Sequence, residues 1–221
     1  MITTATILSG VAQGLIWAIL TLGVYLTFRI LDIADLTVEG TFPLGAAVTV
    51  VLINTGMSPA MAMLCALLAG AAAGFITGFL HTIFQIPAIL SGILTMIALY
   101  SVNIRIMSDK ATVALEQPSL KTWMLSLLPE GTVSNTVSII LGTVFCLLIV
   151  ALLYYFFGTE IGCAVRATGS NQNMARSLGV KTDRVIILGL MISNALVALS
   201  GSLIAQLDYG SALVTMGQGT I

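Results

Sequence analysis

Residues 158–184 read GTEIGCAVRATGSNQNMARSLGVKTDR, a polar island between two long apolar runs. The island holds four of the eight basic residues, Arg166, Arg176, Lys181 and Arg184, but only two of the nine acids, Glu160 and Asp183. Basic residues concentrated in a short loop between apolar spans mark the cytoplasmic face of a membrane. The stretch also carries folding signals. Ser170 or Asn171 can cap a short helix, Ala175, Arg176 and Leu178 suit its body, and Gly179 fits the left-handed position that ends one. Thr182 is placed to cap the helix that follows. Met174 and Leu178 stand four residues apart on one face, too little for a core but enough for a knob that docks into a partner. The plainer reading is a connecting loop that carries positive-inside charge.

Outward from the island the chain is apolar. Of its 221 residues 58% are hydrophobic and 8% charged, against about a quarter charged in soluble domains, so a soluble fold is excluded. A net charge of −1 gives no electrostatic reason to expect nucleic acid. The architecture expected is all-α, a polytopic transmembrane bundle with spans at about 7–28, 41–54, 60–83, 88–107, 136–157 and 185–207. Pro59 and the Gln85-Ile86-Pro87 break separate the middle ones. No basic region precedes the first apolar run, so that run reads as a retained span. Counting back from the island puts the N-terminus outside, with Arg29 inside and Arg105, Lys110 and Lys121 outside: five basic residues inside against three.

Small residues mark where helices can approach. Gly70, Gly74 and Gly78 repeat a GxxxG step along the third span, Gly10 and Gly14 form one on the first, and Gly189/Ser193 and Gly201/Ala205 form small pairs on the sixth. Between Pro118 and Pro129, Leu120, Trp123, Met124 and Leu127 give one apolar face of a helix too short to cross a membrane. It reads as an interfacial cap or as a docking surface for a solute-binding protein.

Residues 29–42, RILDIADLTVEGTF, mix Asp32, Asp35 and Glu39 with apolar positions. They are a polar turn, or a re-entrant segment at a transport path, where irregular backbone is tolerated if buried in protein. Asn194, mid-span, needs a partner and serves helix packing or a path lining. His81 reads as an interfacial, structural histidine. Cys65, Cys146 and Cys163 show no metal or disulfide spacing. There is no GxxxxGK[ST], no HExxH and no supported Ser/His/Asp set. An enzyme is therefore disfavoured. Charges are expected at span ends, with no carboxylate at mid-membrane, which leaves little for ion coupling.

The pattern G-x-E-I-G-x-A-x-R-A-x-G-x-N-x-x-x-A-x-x-L-G-V over 158–180 resembles the cytoplasmic loop of ABC-importer membrane subunits of the branched-chain amino acid and ribose permease superfamily. Residues 31–48, LDIADLTVEGTFPLGAAV, are similar to its uncharacterised or aromatic amino acid (tryptophan/tyrosine-type) branch. The resemblance implies a type II importer-like bundle forming one permease domain over 1–221, with a coupling loop at 158–184. It implies that Ser170, Asn171, Met174, Ala175, Leu178 and Gly179 form a coupling helix seated on a separate ATPase. Asp35, Thr37, Glu39 and Asn194 are candidates for the translocation path. Implied partners are the ABC ATP-binding subunit, which binds ATP and Mg²⁺, an extracytoplasmic solute-binding protein, a second permease copy in a homodimer, and the lipid of a bacterial inner membrane. No cofactor is expected in this chain. Members of that family continue with further spans, so a C-terminal truncation is expected. The function implied is ATP-driven import of a small solute, an amino acid and perhaps an aromatic one, by alternating access. The alternative is an ion-coupled secondary transporter or a channel.

Overall fold

The computed structural model describes residues 4–127 and 134–217 together with Gly219. Pro129, expected to close the short interfacial helix, lies outside the described residues. Among these residues five helices are long and apolar enough to cross a membrane: α1 (Thr4–Tyr25), which continues as a π-helical turn Leu26–Ile30, then α3 (Pro59–Thr82), α4 (Ala88–Ile106), α6 (Ser134–Gly158) and α9 (Thr182–Ile204), which ends in a second π-turn, Ala205–Tyr209. Between α1 and α3 lies α2 (Val38–Asn54), of 17 residues. At ~1.5 Å per residue it is about 25 Å long, short of the roughly 30 Å of a hydrocarbon core.

The reason for that shortness is positional. After the π-turn the chain leaves the helix at Leu31, and Asp32 takes a left-handed φ of 55°, a conformation that Asp tolerates better than most side chains. Residues 31–37 then run irregularly back into the bundle, so α2 begins part-way through it. Residues 31–37 are thus a broken segment, largely buried apart from the exposed Asp32, and not a surface turn.

The central helix is α9, whose second half is almost wholly buried. α1 lies antiparallel to it, stitched by Ser193 Oγ donating to the Gly23 carbonyl (2.7 Å) and Ser200 Oγ to that of Ile16 (2.8 Å). α2 runs parallel to it, with Thr49 Oγ1 donating to Ser202 Oγ at 2.7 Å. α3 packs antiparallel through the glycine stripe. A Cβ at Gly70, Gly74 or Gly78 would collide with Asn194 and Ala198, with Leu190, or with Ile187, so only glycine permits that approach. α4 packs on α2 and α6 on α1. Trp17 of α1 stacks on Phe42 at 5.4 Å between ring centroids.

The Gly10/Gly14 step does not follow suit. No atom of the described residues lies within 4 Å of a Cβ at either position, because a small pair permits a close approach without supplying the neighbour. At the end of the bundle opposite the island, α5 (Leu120–Leu127) lies over the core through Leu120 and Met124, with Trp123 exposed. Lys121 Nζ donates to the Leu207 carbonyl (2.9 Å). Beside α5, two short strands pair antiparallel, β1 (Thr112–Ala114) with β2 (Ser211–Leu213).

Candidate functional site

The island folds as two helices. Thr159 caps α7 (Glu160–Ser170), its Oγ1 accepting from Gly162 N, and Val165 and Thr168 face inward. This helix was not anticipated; the Thr159-Glu160 start was its signal. Asn171, not Ser170, caps α8 (Gln172–Ser177), its Oδ1 accepting from Met174 N at 3.0 Å. Gly179 takes φ 85° and ends the turn, while Val180 N donates back to the Ala175 carbonyl. Ala175 is fully buried and pins α8 to the body, whereas Met174 and Leu178 stand 52% and 73% exposed. Thr182 is not the cap expected. It is the first residue of α9, and its hydroxyl accepts from Arg176 Nε (2.7 Å), while Arg176 Nη2 reaches Asp183 Oδ1 (2.9 Å). That clamp fixes α8 against the root of α9.

α7 joins the island to the broken segment. Gly169 abuts the backbone of Ile30 and Leu31. Val165 packs in one cluster with Leu26, Leu31, Ile33, Ile186 and Leu190. A cavity of about 560 Å³ lies beside this joint, with Asp32, Ile33, His81, Ser170 and Asn171 in its wall. His81 Nδ1 bonds the Ile86 carbonyl at 2.8 Å, a local structural contact.

Two residues beyond Ile33, Asp35 enters a closed polar network. Asn194 Nδ2 donates to Asp35 Oδ2 (2.7 Å) and to the Leu190 carbonyl (3.0 Å), and its Oδ1 accepts from Thr41 Oγ1 (2.7 Å). Asp35 Oδ1 accepts from Thr37 N (2.9 Å), and Thr37 Oγ1 meets Thr77 Oγ1 of α3 (2.7 Å). All five residues are buried, so each polar group needs these partners. Asn194 lies twelve positions past Thr182, about 18 Å along α9 at ~1.5 Å per residue. Asp35 is therefore a carboxylate at mid-depth, and the expectation that none would be there is corrected. The chain re-enters the bundle, so distance along the sequence from a span does not measure depth.

Of the four residues proposed for the path, Asp35, Thr37 and Asn194 come together in this lock, joined by Thr41 and Thr77. Those two hydroxyls lie in uncharged runs and gave no sequence signal of their own. Glu39 is set apart. It projects into a cavity of about 470 Å³ between α2 and α4, whose wall also carries Asn103 and Tyr100. The helix-packing residues Gly70, Gly74 and Gly78 face α9.

Residues 6–221 match the family described as branched-chain amino acid transport system, permease component. The chain is 41% identical over 215 residues to the tyrosine transport system permease protein of Clostridioides difficile (strain R20291), covering 97% of this chain and 69% of that protein. It is 38% identical over 213 residues to an uncharacterized protein of Rickettsia prowazekii (strain Madrid E), covering 96% and 72%. It is 30% identical over 208 residues to the autoinducer 2 import system permease protein LsrC of Photorhabdus laumondii, covering 92% and 58%. No solved structure matches the chain.

Proposed function

This multi-pass membrane protein belongs to the family of branched-chain amino acid transport system permease components, and from that premise we propose that it is the membrane subunit of an ATP-driven importer of a small amino acid-like solute. The substrate class rests on the relative named as a tyrosine permease. ATP and Mg²⁺ belong to a separate ATPase, an extracytoplasmic binding protein delivers solute, and two permease copies enclose the path. The N-terminus is outside and the island cytoplasmic. The domain is the single bundle, with 158–184 as its coupling loop.

One observation carries the reading. α8 is capped at Asn171, closed at Gly179 and pinned by the buried Ala175, yet it turns Met174 and Leu178 outward. An ordered helix that spends its two large apolar side chains on the exterior is built for a groove on a partner. Ser170 is the exposed last residue of α7, next to the Asn171 cap of α8.

A mechanism follows from the contacts. Closure of the ATPases displaces α8, the Arg176 clamp moves the root of α9, and α7 pushes on Leu31 through Val165 and Gly169. Residues 31–37, irregular and non-helical, absorb the movement as a hinge. The Asp35–Asn194 lock holds one position of that hinge, and its release opens the path between copies.

Mid-depth carboxylates at Asp35 and Glu39 favour a second reading, ion-coupled transport. Uptake of radiolabelled tyrosine into proteoliposomes holding permease, ATPase and binding protein separates the two. The importer reading predicts uptake that requires internal ATP, stops with vanadate and ignores a protonophore. Uptake that persists without ATP and collapses with the protonophore contradicts it.

A further inference from the structure

The cavity between α2 and α4 holds two acceptors without donors. Glu39 lines it at the level of Met96, since a Cβ on the adjacent Gly40 would touch Met96 and Leu99 in the middle of α4. Among the described residues no cation and no hydrogen-bond donor pairs with the Glu39 carboxylate. Asn103 is fully buried and its Nδ2 donates to the Gly40 carbonyl at 3.1 Å, which fixes the amide's orientation. Its Oδ1 is then left as a buried acceptor with no partner among the described residues. An ionisable group at this depth faces a path and not lipid, and an unmatched buried acceptor calls for a donor.

The remaining wall is mainly apolar, with Met96, Ile97, Pro43 and Val214, and carries two hydroxyls, those of Tyr100 and Thr215. The volume of about 470 Å³ falls in the range of roughly 300–1,000 Å³ typical of small-molecule sites. A bare divalent ion would want about six or more oxygen ligands, and the described residues hold no cluster of three or more metal-ligating side chains. An organic anion would face the Glu39 carboxylate and the Asn103 carbonyl oxygen, with only the neutral hydroxyls of Tyr100 and Thr215 to donate. A primary ammonium is cationic and carries three donors, which suits both acceptors and leaves the apolar wall for its carbon skeleton.

We propose that this cavity binds the transported solute by its protonated amine, with the Glu39 carboxylate as counter-ion, Asn103 Oδ1 as a second acceptor, and the Met96–Pro43–Val214 wall holding the non-polar part. The proposal rests on the permease reading and names the group of the solute that the permease itself recognises.

Three probes of nearly one skeleton test it on the purified full-length permease: phenethylamine, 3-phenylpropionate and 2-phenylethanol, followed by saturation-transfer NMR. The amine should give a saturable signal and the anion and the alcohol little. Glu39→Gln should cut the amine signal at least fivefold, and Glu39→Asp should keep more than half of it. Elution volume and melting temperature report that both variants fold. Equal signals from the three probes, or an amine signal indifferent to Glu39→Gln, overturn the site. The measurement uses no ATPase. Amine-selective binding without ATP-driven uptake would fault only the importer reading, and uptake with unselective binding would fault only the site.

Discussion

Asn171 and Asn194 are the same residue in opposite settings. Asn171 is exposed and spends its side chain on one backbone N–H, fixing a short helix whose apolar residues point away from the protein. Asn194 is fully buried, its three side-chain hydrogen bonds all closed inside the bundle, and it ties α9 to the broken segment and to α2. The first region leaves its apolar side chains open, as the proposed docking requires. The second is complete, and any change to it must be felt by the fold. Stability is therefore concentrated in the α2–α3–α9 core, while the island can be altered at its outer face without disturbing that core. Substitutions can be ranked by how strongly they should affect the folded permease, and the ranking is itself a test of the division.

The largest effect belongs to Gly74→Leu. The new side chain would run into the Leu190 carbonyl and the Met191 backbone, and overpacking of that kind typically costs about 1–3 kcal/mol and sometimes more. Expression followed by size-exclusion chromatography should show little monodisperse protein, and a wild-type profile would mean that the α3–α9 contact is looser than described. Asn194→Leu comes next. It leaves Asp35 Oδ2 buried without its partner, while Thr41 Oγ1 keeps only the Thr37 carbonyl; an orphaned buried group costs about 1–3 kcal/mol when neutral and more when charged. A clear fall in the melting temperature in detergent is expected, and an unchanged value would remove the lock from the account. Thr49→Val is the mildest of the core changes. It deletes the bonds to Ser202 and to the Gly45 carbonyl of its own helix; only the first joins two helices, and interhelical bonds of this type average about 0.6 kcal/mol in membranes, so the melting temperature should shift only slightly. A drop as large as that of Asn194→Leu would show that the polar groups of α9 act as one unit and not separately.

The two regions differed also in how far the chain order revealed them. The island is local. Its cap, its terminating glycine and its outward pair lie within nine residues, 171–179, and each is a nearest-neighbour effect of backbone conformation. The spans and the glycine stripe were legible because hydropathy and small-residue spacing are also properties of single segments. The lock depends on segments 159 positions apart, the separation of Asp35 and Asn194, and nothing near Thr41 or Thr77 distinguishes them from other hydroxyls in apolar helices. The depth of Asp35 is not legible in the sequence, because a chain that turns back into the bundle breaks the link between position in sequence and position across the membrane. Thr182 looked like a cap because it precedes an apolar run, yet the Arg176 side chain claims its hydroxyl. The Gly10/Gly14 step permits a close approach, and spacing alone cannot provide the second helix.

At the other end of the ranking stands the double change Met174→Asp and Leu178→Asp. Both side chains are more than half exposed, so the melting temperature and elution volume of the permease should match wild type. Truncating an interface anchor can cost about 2 kcal/mol or more, roughly thirtyfold in affinity, and two introduced charges would add to that. Copurification of the ATPase with tagged double-mutant permease is the measurement that tests the division most directly. The account predicts a folded, thermally normal membrane protein that no longer brings down its ATPase and no longer supports ATP-driven uptake. Retention of the ATPase at wild-type stoichiometry would contradict it, and the island would then be a connecting loop.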